Sequence, residues 1–163
     1  KETVNTFKKY AKNKDMLIFD AGCGTGLVGK ELKKFGYNNF HGADLSKTLL
    51  DTIPEDLYKK LDKVDLNGPI QIKDNYYDAV MCVGTFTYAH VKPNALDEFV
   101  RITKNKGLIC FTVNEGIHEE YGFDKKIKEL KDSNKWKEIE FFKSDYIASK
   151  DVNAWLGLYE VIK

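Results

Sequence analysis

The sequence predicts an open, doubly wound α/β sheet with helices on both faces, and three observations point there. Short apolar runs alternate with helical stripes along the whole chain, as in a sheet built from strand–helix–strand units. The two most apolar runs, YYDAVMCVGTF (76–86) and GLICFTV (107–113), read as central strands covered on both faces. A glycine-rich stretch, FDAGCGTG (19–26), directly overlaps the end of the first apolar run, where a strand must turn into a helix.

In chain order, KETVNTFKKYAKNK places Val4, Phe7, Tyr10 and Ala11 on one helical stripe. MLIF (16–19) reads as a strand ending at Asp20. Leu27, Val28, Leu32 and Phe35 recur at helical spacing, and Gly36 closes that helix. NNFHGADL holds a short strand ending near Asp44, and Ser46 is a natural cap for a helix through Ile53. Pro54 starts a separate turn, and LDKVDL (61–66) is a weak strand. After the strand at 76–86, Pro93 suits the first turn of a helix carrying Leu96, Phe99, Val100 and Ile102. The strand at 107–113 is followed by a helical tract around 123–132 and by two more strand-like runs, EIEFF (138–142) and LGLYEVI (156–162). No linker, repeat or low-complexity tract interrupts this order, so residues 1–163 are expected to form one domain.

Composition narrows the function. The 163 residues are 42% hydrophobic, enough for a core, and 26 basic against 25 acidic residues leave a formal charge of +1. That balance creates no field for polyanions, so no nucleic-acid partner is expected. Cys23, Cys82 and Cys110 sit in or beside apolar runs without a CxxC pair or histidine cluster, so they read as reduced thiols and no metal site is expected. No apolar stretch approaches the roughly 20 residues that cross a bilayer, and the first residues do not resemble a signal peptide. The expectation is a soluble, cytoplasmic protein with no membrane partner.

The glycine stretch admits two ligands. Gly24, Gly26 and Gly29 satisfy GxGxxG, and Asp44 lies 20 residues beyond Gly24, where a dinucleotide-binding fold places its ribose acid. An NAD(P)-dependent oxidoreductase is therefore one reading. Asp20 weighs against it, because a pyrophosphate over the first helix N-terminus would meet a fixed negative charge. A ligand with an ammonium or sulfonium group would tolerate or use that carboxylate. Asp20 could also accept hydrogen bonds from loop amides.

FDAGCGTG resembles the first motif of class I S-adenosylmethionine-dependent methyltransferases, an acid followed by three alternating glycines. GADLS (42–46), KVDL (63–66), NYYDAVMCVGTF (75–86) and ITKNKGLICFTV (102–113) resemble the family's next four motifs. More narrowly, GTGLVGKELKKFGYNNFHGADLS with VGTFTYAHV resembles a methyltransferase-like subgroup linked to the Williams–Beuren deletion region. The resemblance covers residues 14–115 and implies a seven-stranded, mostly parallel sheet whose last strand is antiparallel. It also implies a lid segment ahead of the first motif. Only 19 residues precede Asp20, so the chain is expected to lack that lid.

Site roles follow from the resemblance. Gly22, Gly24 and Gly26, with Cys23 in the same loop, would let the backbone approach the methionine part of the cofactor, S-adenosylmethionine or its product S-adenosylhomocysteine. Asp20 would order that loop near the ammonium group. Asp44 would accept both ribose hydroxyls, Leu45 would lie on the adenine face, and Asp65 with the Leu66 N–H would take the adenine edge. The backbone at Cys82, Val83 and Gly84 would contact the aminoacyl part. Asp78, at the entry end of its strand, reads as structural, as does His41. Tyr88 and His90 follow the fourth strand on the substrate side and are the candidate catalytic side chains; a base is needed only where the acceptor must lose a proton. His118, Glu119, Asn114 and Glu115 would stand at the rim. Lys125, Lys126, Lys128 and Lys131 read as a solvated helix face. The expected activity is methyl transfer to an unidentified, small-molecule acceptor. The alternatives are the oxidoreductase and a non-catalytic protein that binds the nucleoside.

Overall fold

The computed structural model describes residues 2–87, 91–147 and 152–163, apart from the side chains of 145–147 and 152. Helix α1 (Glu2–Tyr10) is followed by β1 (Ile18–Ala21), α2 (Leu27–Lys34), β2 (Phe40–Asp44), α3 (Lys47–Leu50) and β3 (Lys60–Lys63). Then come β4 (Tyr77–Phe86), α4 (Ala95–Ile102), β5 (Thr103–Asn114), α5 (Glu115–His118), α6 (Phe123–Asp132), β6 (Trp136–Ile147) and β7 (Val152–Val161). Among the described residues the seven strands form one sheet in the order β3-β2-β1-β4-β5-β7-β6. β7 inserts antiparallel between β5 and β6, and the pairings of β1 to β5 with one another are all parallel. This is the fold class expected from the sequence.

Strand alternation divides the core in two. Phe19, Val80, Cys82, Ile109 and Phe111 face α4 and α6, which bring Leu96, Phe99, Phe123 and Ile127. Ile18, Ala79, Met81, Leu108 and Cys110 face the other way, against Val4 and Phe7 of α1, Leu32 of α2 and the 50–58 segment. Successive residues of a strand point to opposite faces, so runs such as DAVMC must be apolar throughout when both faces are covered. The switch from the β1–β2–β3 side to the β4–β5 side falls between β1 and β4, and it sets the C-terminal ends of those strands around one crevice.

Several elements differ from their expected form. Tyr10 is 43% exposed and donates from its hydroxyl to Glu140 at 2.7 Å rather than packing in the core. Leu27 is 69% exposed, because α2 turns its first residue outward. α2 ends as predicted: Gly36 adopts φ 95°, and the Tyr37 N–H reaches back to the Leu32 carbonyl at 3.1 Å. β3 is Lys60–Lys63 rather than 61–66, which leaves Asp65 in a turn. β6 runs well beyond 138–142, since its charged alternation (Lys137, Glu138, Glu140, Lys143) hides an edge strand from hydrophobic pattern.

Candidate functional site

The ends of β1, β2 and β4 meet the turn after β3 around a cavity of about 500 Å³. Seven of the sequence-predicted residues line it together: Gly22, Gly24, Asp44, Leu45, Asp65, Leu66 and Gly84. The glycine loop is bound to the neighbouring strand, since the N–H groups of Gly22 and Cys23 both donate to the Ala43 carbonyl, at 2.8 and 2.9 Å. Gly22, Gly24 and Gly26 have φ of 72°, 54° and 88°, a region that favours glycine. A Cβ on Gly22 would lie 2.1 Å from Thr85 Oγ1, whereas one on Gly24 would meet nothing within 4 Å. The loop is therefore packed at its root and open at its tip.

Asp44 joins two elements. Its Oδ2 accepts from the Gly24 N–H and its Oδ1 from the Ser46 N–H, both at 2.9 Å. Ser46 Oγ in turn accepts from the Leu49 N–H and caps α3, as its position predicts. Each Asp44 oxygen keeps a further lone pair for a hydroxyl donor. Asp65 is exposed, and its Oδ1 accepts from the Asn67 N–H at 2.9 Å in an Asx-turn. Leu45 and Leu49 are 58% and 38% exposed along the same wall.

Five predicted residues stand outside that lining: Asp20, Cys23, Gly26, Cys82 and Val83. Cys82 is fully buried and burial pushes its thiol well up, so it fills the core. Of the three expected fourth-strand residues it is Gly84 that lines the cavity, with Thr85 beside it; Gly84 turns at φ 73° with its N–H held by Thr112 Oγ1 at 2.9 Å. Gly26 is the N-cap of α2 and packs against Leu57, Ile53 and Tyr58. Tyr88 and His90, the expected catalytic side chains, lie outside the described residues.

Asp20 is 1% exposed at the end of β1. Its Oδ2 accepts a 2.6 Å hydrogen bond from the hydroxyl of Tyr58, which itself accepts from the Gly29 N–H at 3.2 Å. Burial drives the Asp20 carboxyl up to about 7; the Tyr58 hydrogen bond opposes this and the Asp44 charge adds to it. The Tyr58 hydroxyl is pushed far above its ordinary value by burial and by Asp20, so it remains the donor. A Cβ on Gly29 would lie 2.6 Å from the Tyr58 hydroxyl, and one on Gly42 2.8 Å from its ring. Gly29, the last glycine of the dinucleotide fingerprint, thus makes room for a tyrosine. Tyr58 carried no sequence signal, since its partners lie 29 and 38 residues away.

Other candidates fall elsewhere. Asp78 is structural as expected, accepting from the Leu17 N–H at 2.8 Å and pairing with Lys104 at 3.2 Å. His118 stands among the rings of Phe141 and Trp155, 5.7 and 5.4 Å away, and Lys143 pairs with Glu115 at 3.0 Å. His41 Nδ1 is 2.9 Å from the Tyr77 hydroxyl, in a larger cleft of about 610 Å³ beside β3. That cleft shares Val64 and Asp65 with the first cavity, but the glycine loop takes no part in it. Lys125, Lys128 and Lys131 are exposed, as a solvated face requires, whereas Lys126 is half-buried and bridges Asp97 of α4 and Glu129. No helix of the described residues is long and apolar enough to cross a membrane.

The family described as "Methyltransferase domain" matches residues 19–111, more than half of the chain, from the glycine loop to β5. The chain belongs to this family. Among curated members, the human methyltransferase-like protein 27 is 38% identical over 98 residues, covering 59% of this chain and 40% of that protein. An uncharacterized protein of Methanocaldococcus jannaschii is 37% identical over 143 residues, covering 85% of this chain and 60% of that protein. The chain thus spans about half the length of the curated relatives it matches. A putative S-adenosylmethionine-dependent methyltransferase from Listeria monocytogenes superposes with a TM-score of 0.72 at 13% identity, covering 99% and 98% of the two chains. The seven-stranded sheet, with helices on its faces and β7 antiparallel, is the class I methyltransferase fold.

Proposed function

We propose that this methyltransferase domain binds S-adenosylmethionine in the cavity at the strand ends and transfers its methyl group to a small-molecule acceptor. One observation carries the reading: the left-handed glycine loop, Asp44 and the Asp65–Leu66 turn, from three separate connections, converge on one cavity. A volume of about 500 Å³ falls within the range of small-molecule sites. The residues fit a nucleoside. Gly24 leaves open space at the loop tip, Asp44 has lone pairs for two ribose hydroxyls, and Leu45, Leu49 and Leu66 offer apolar surface to a base beside the Asp65 carboxylate.

When bound, S-adenosylmethionine supplies a methyl group on a sulfonium, whose departure as a neutral thioether needs no acid. The protein's part is alignment and exclusion of water, worth ~7 kcal/mol or more in favourable cases. Asp44 and the glycine loop, joined by the Gly24 N–H to Asp44 hydrogen bond, would orient the nucleoside from adjoining parts of the cavity wall. The exposed leucines cover the base. Membership of the Williams–Beuren-linked subgroup is the finer reading, and it rests on the sequence resemblance of GTGLVGKELKKFGYNNFHGADLS and VGTFTYAHV alone.

Calorimetric titration with S-adenosylmethionine, S-adenosylhomocysteine and NAD(H) tests the proposal. Micromolar binding of a sulfur nucleoside is expected, with none for NAD(H), and Asp44→Ala should abolish it. Binding of NAD(H) alone would overturn the reading.

A further inference from the structure

Resting on the cofactor reading above, we propose that Tyr58 is a positioning residue for the sulfur nucleoside, holding Asp20 in place behind the glycine loop as the carboxylate that answers the ligand's positive charge. Asp20 does not line the cavity, so nothing in the cavity wall fixes its orientation. The hydrogen bond that does comes from Tyr58, at 2.6 Å. The same hydroxyl accepts from Gly29 in the first turn of α2, so one atom ties the end of β1 to the helix on the far side of the loop. The ring is held as firmly as the hydroxyl. It is 5% exposed, occupies the space that Gly29 and Gly42 leave, and meets Phe40 edge-on with centroids 4.9 Å apart.

The electrostatics give this contact a role beyond packing. A carboxyl out of contact with water favours its neutral form, and hydrogen bonding to the ionised form works the other way. The groups acting on Asp20 are the Tyr58 hydroxyl and the Asp44 carboxylate on β2, and Asp20 in turn disfavours ionisation of the Cys23 thiol in the loop and the Cys82 thiol on β4; among the described residues no cationic side chain belongs to this set. Tyr58 is the member of this set that favours the charge. A ligand carrying an ammonium group selects ionised Asp20, so affinity rises with pH as Asp20 ionises, and Tyr58 sets where that rise falls.

The test is calorimetric titration of S-adenosylhomocysteine from pH 5.5 to 9 into wild type, Tyr58→Phe and Asp20→Asn. Phenylalanine keeps the ring in its slot, and a thermal melt checks that each variant folds. The ligand's own amino group titrates identically against all three, so affinities are read as ratios to Asp20→Asn at each pH. The wild-type ratio is expected to climb through about pH 7. In Tyr58→Phe the climb should move up by about one pH unit, giving roughly fivefold weaker binding at pH 7 and near-equal binding at pH 9. A structural role alone would weaken Tyr58→Phe equally at every pH, and that result, or an unmoved profile, would overturn the proposal while leaving the cofactor reading intact. No binding by wild type at any pH would overturn both.

Discussion

Asp20 is a carboxylic acid held in the core at the end of a central strand, with a tyrosine hydroxyl as its donor. Its stability consequence has a definite sign. The folded-state value of about 7 lies above the ordinary 3.8, so between those limits the native chain keeps a proton that the unfolded chain releases. Stability therefore falls as pH climbs from about 4 to about 7 and levels off above. Asp20→Asn removes the ionisation but keeps the shape and an acceptor for Tyr58. Its advantage over wild type should be about 1 kcal/mol near pH 4.5 and reach roughly 4 kcal/mol at pH 8, read as a melting temperature about 10 °C higher. Under the proposal above the same variant is expected to bind the nucleoside more weakly, which would make the aspartate a trade of stability for binding. The acid ahead of the glycines was legible in the sequence, whereas its burial was not, because burial depends on Tyr58 crossing from a distant turn.

At the scale of elements, α4 fastens the segment that follows the cavity's turn through one side chain, Arg101. Arg101 donates from Nη2 to the Ile70 carbonyl at 2.9 Å, and from Nη1 to the Ile72 carbonyl at 2.7 Å and to Asp74 at 2.8 Å. Its Nε bonds Glu98 at 2.7 Å, and Glu98 accepts from the Ile70 N–H at 2.8 Å. The helix thereby pins the 70–74 segment, whose chain runs directly into the turn that carries Asp65 and Leu66. A lysine ammonium cannot reproduce a planar fork with several simultaneous acceptors. Arg101→Lys should lower stability by about 1–2 kcal/mol, allowing for the side chain's partial exposure, as a shift in urea midpoint without a change in slope. A helix over 96–102 was readable from apolar spacing. The Arg101 clamp was not, since its carbonyl partners come from an irregular stretch with no periodicity.

For the whole molecule, ligand binding and folding are one equilibrium. The proposed nucleoside, bridging the β1, β2 and β3 connections, would bind only the folded chain, so at 100 times its dissociation constant it should add about 2.7 kcal/mol. For a domain of this size that is a rise of about 5–10 °C in melting temperature. Differential scanning calorimetry with S-adenosylhomocysteine checks it, and Asp44→Ala should cancel the rise.

Hydrophobic period and glycine spacing are local properties, and by themselves they settled the α/β class, the order of the elements and the loop between β1 and α2. The acids at 44 and 65 were legible for the same reason: each follows an apolar run, and strand ends face the crevice in such sheets. Tertiary structure alone decided what depends on partners far apart in the chain. It placed β7 between β5 and β6, kept Gly84 but not Cys82 or Val83 in the cavity lining, and gave Gly29 to Tyr58. Pattern records which face a residue prefers, while pairing order, the aim of a backbone and the filling of a glycine's space emerge only when distant segments pack together.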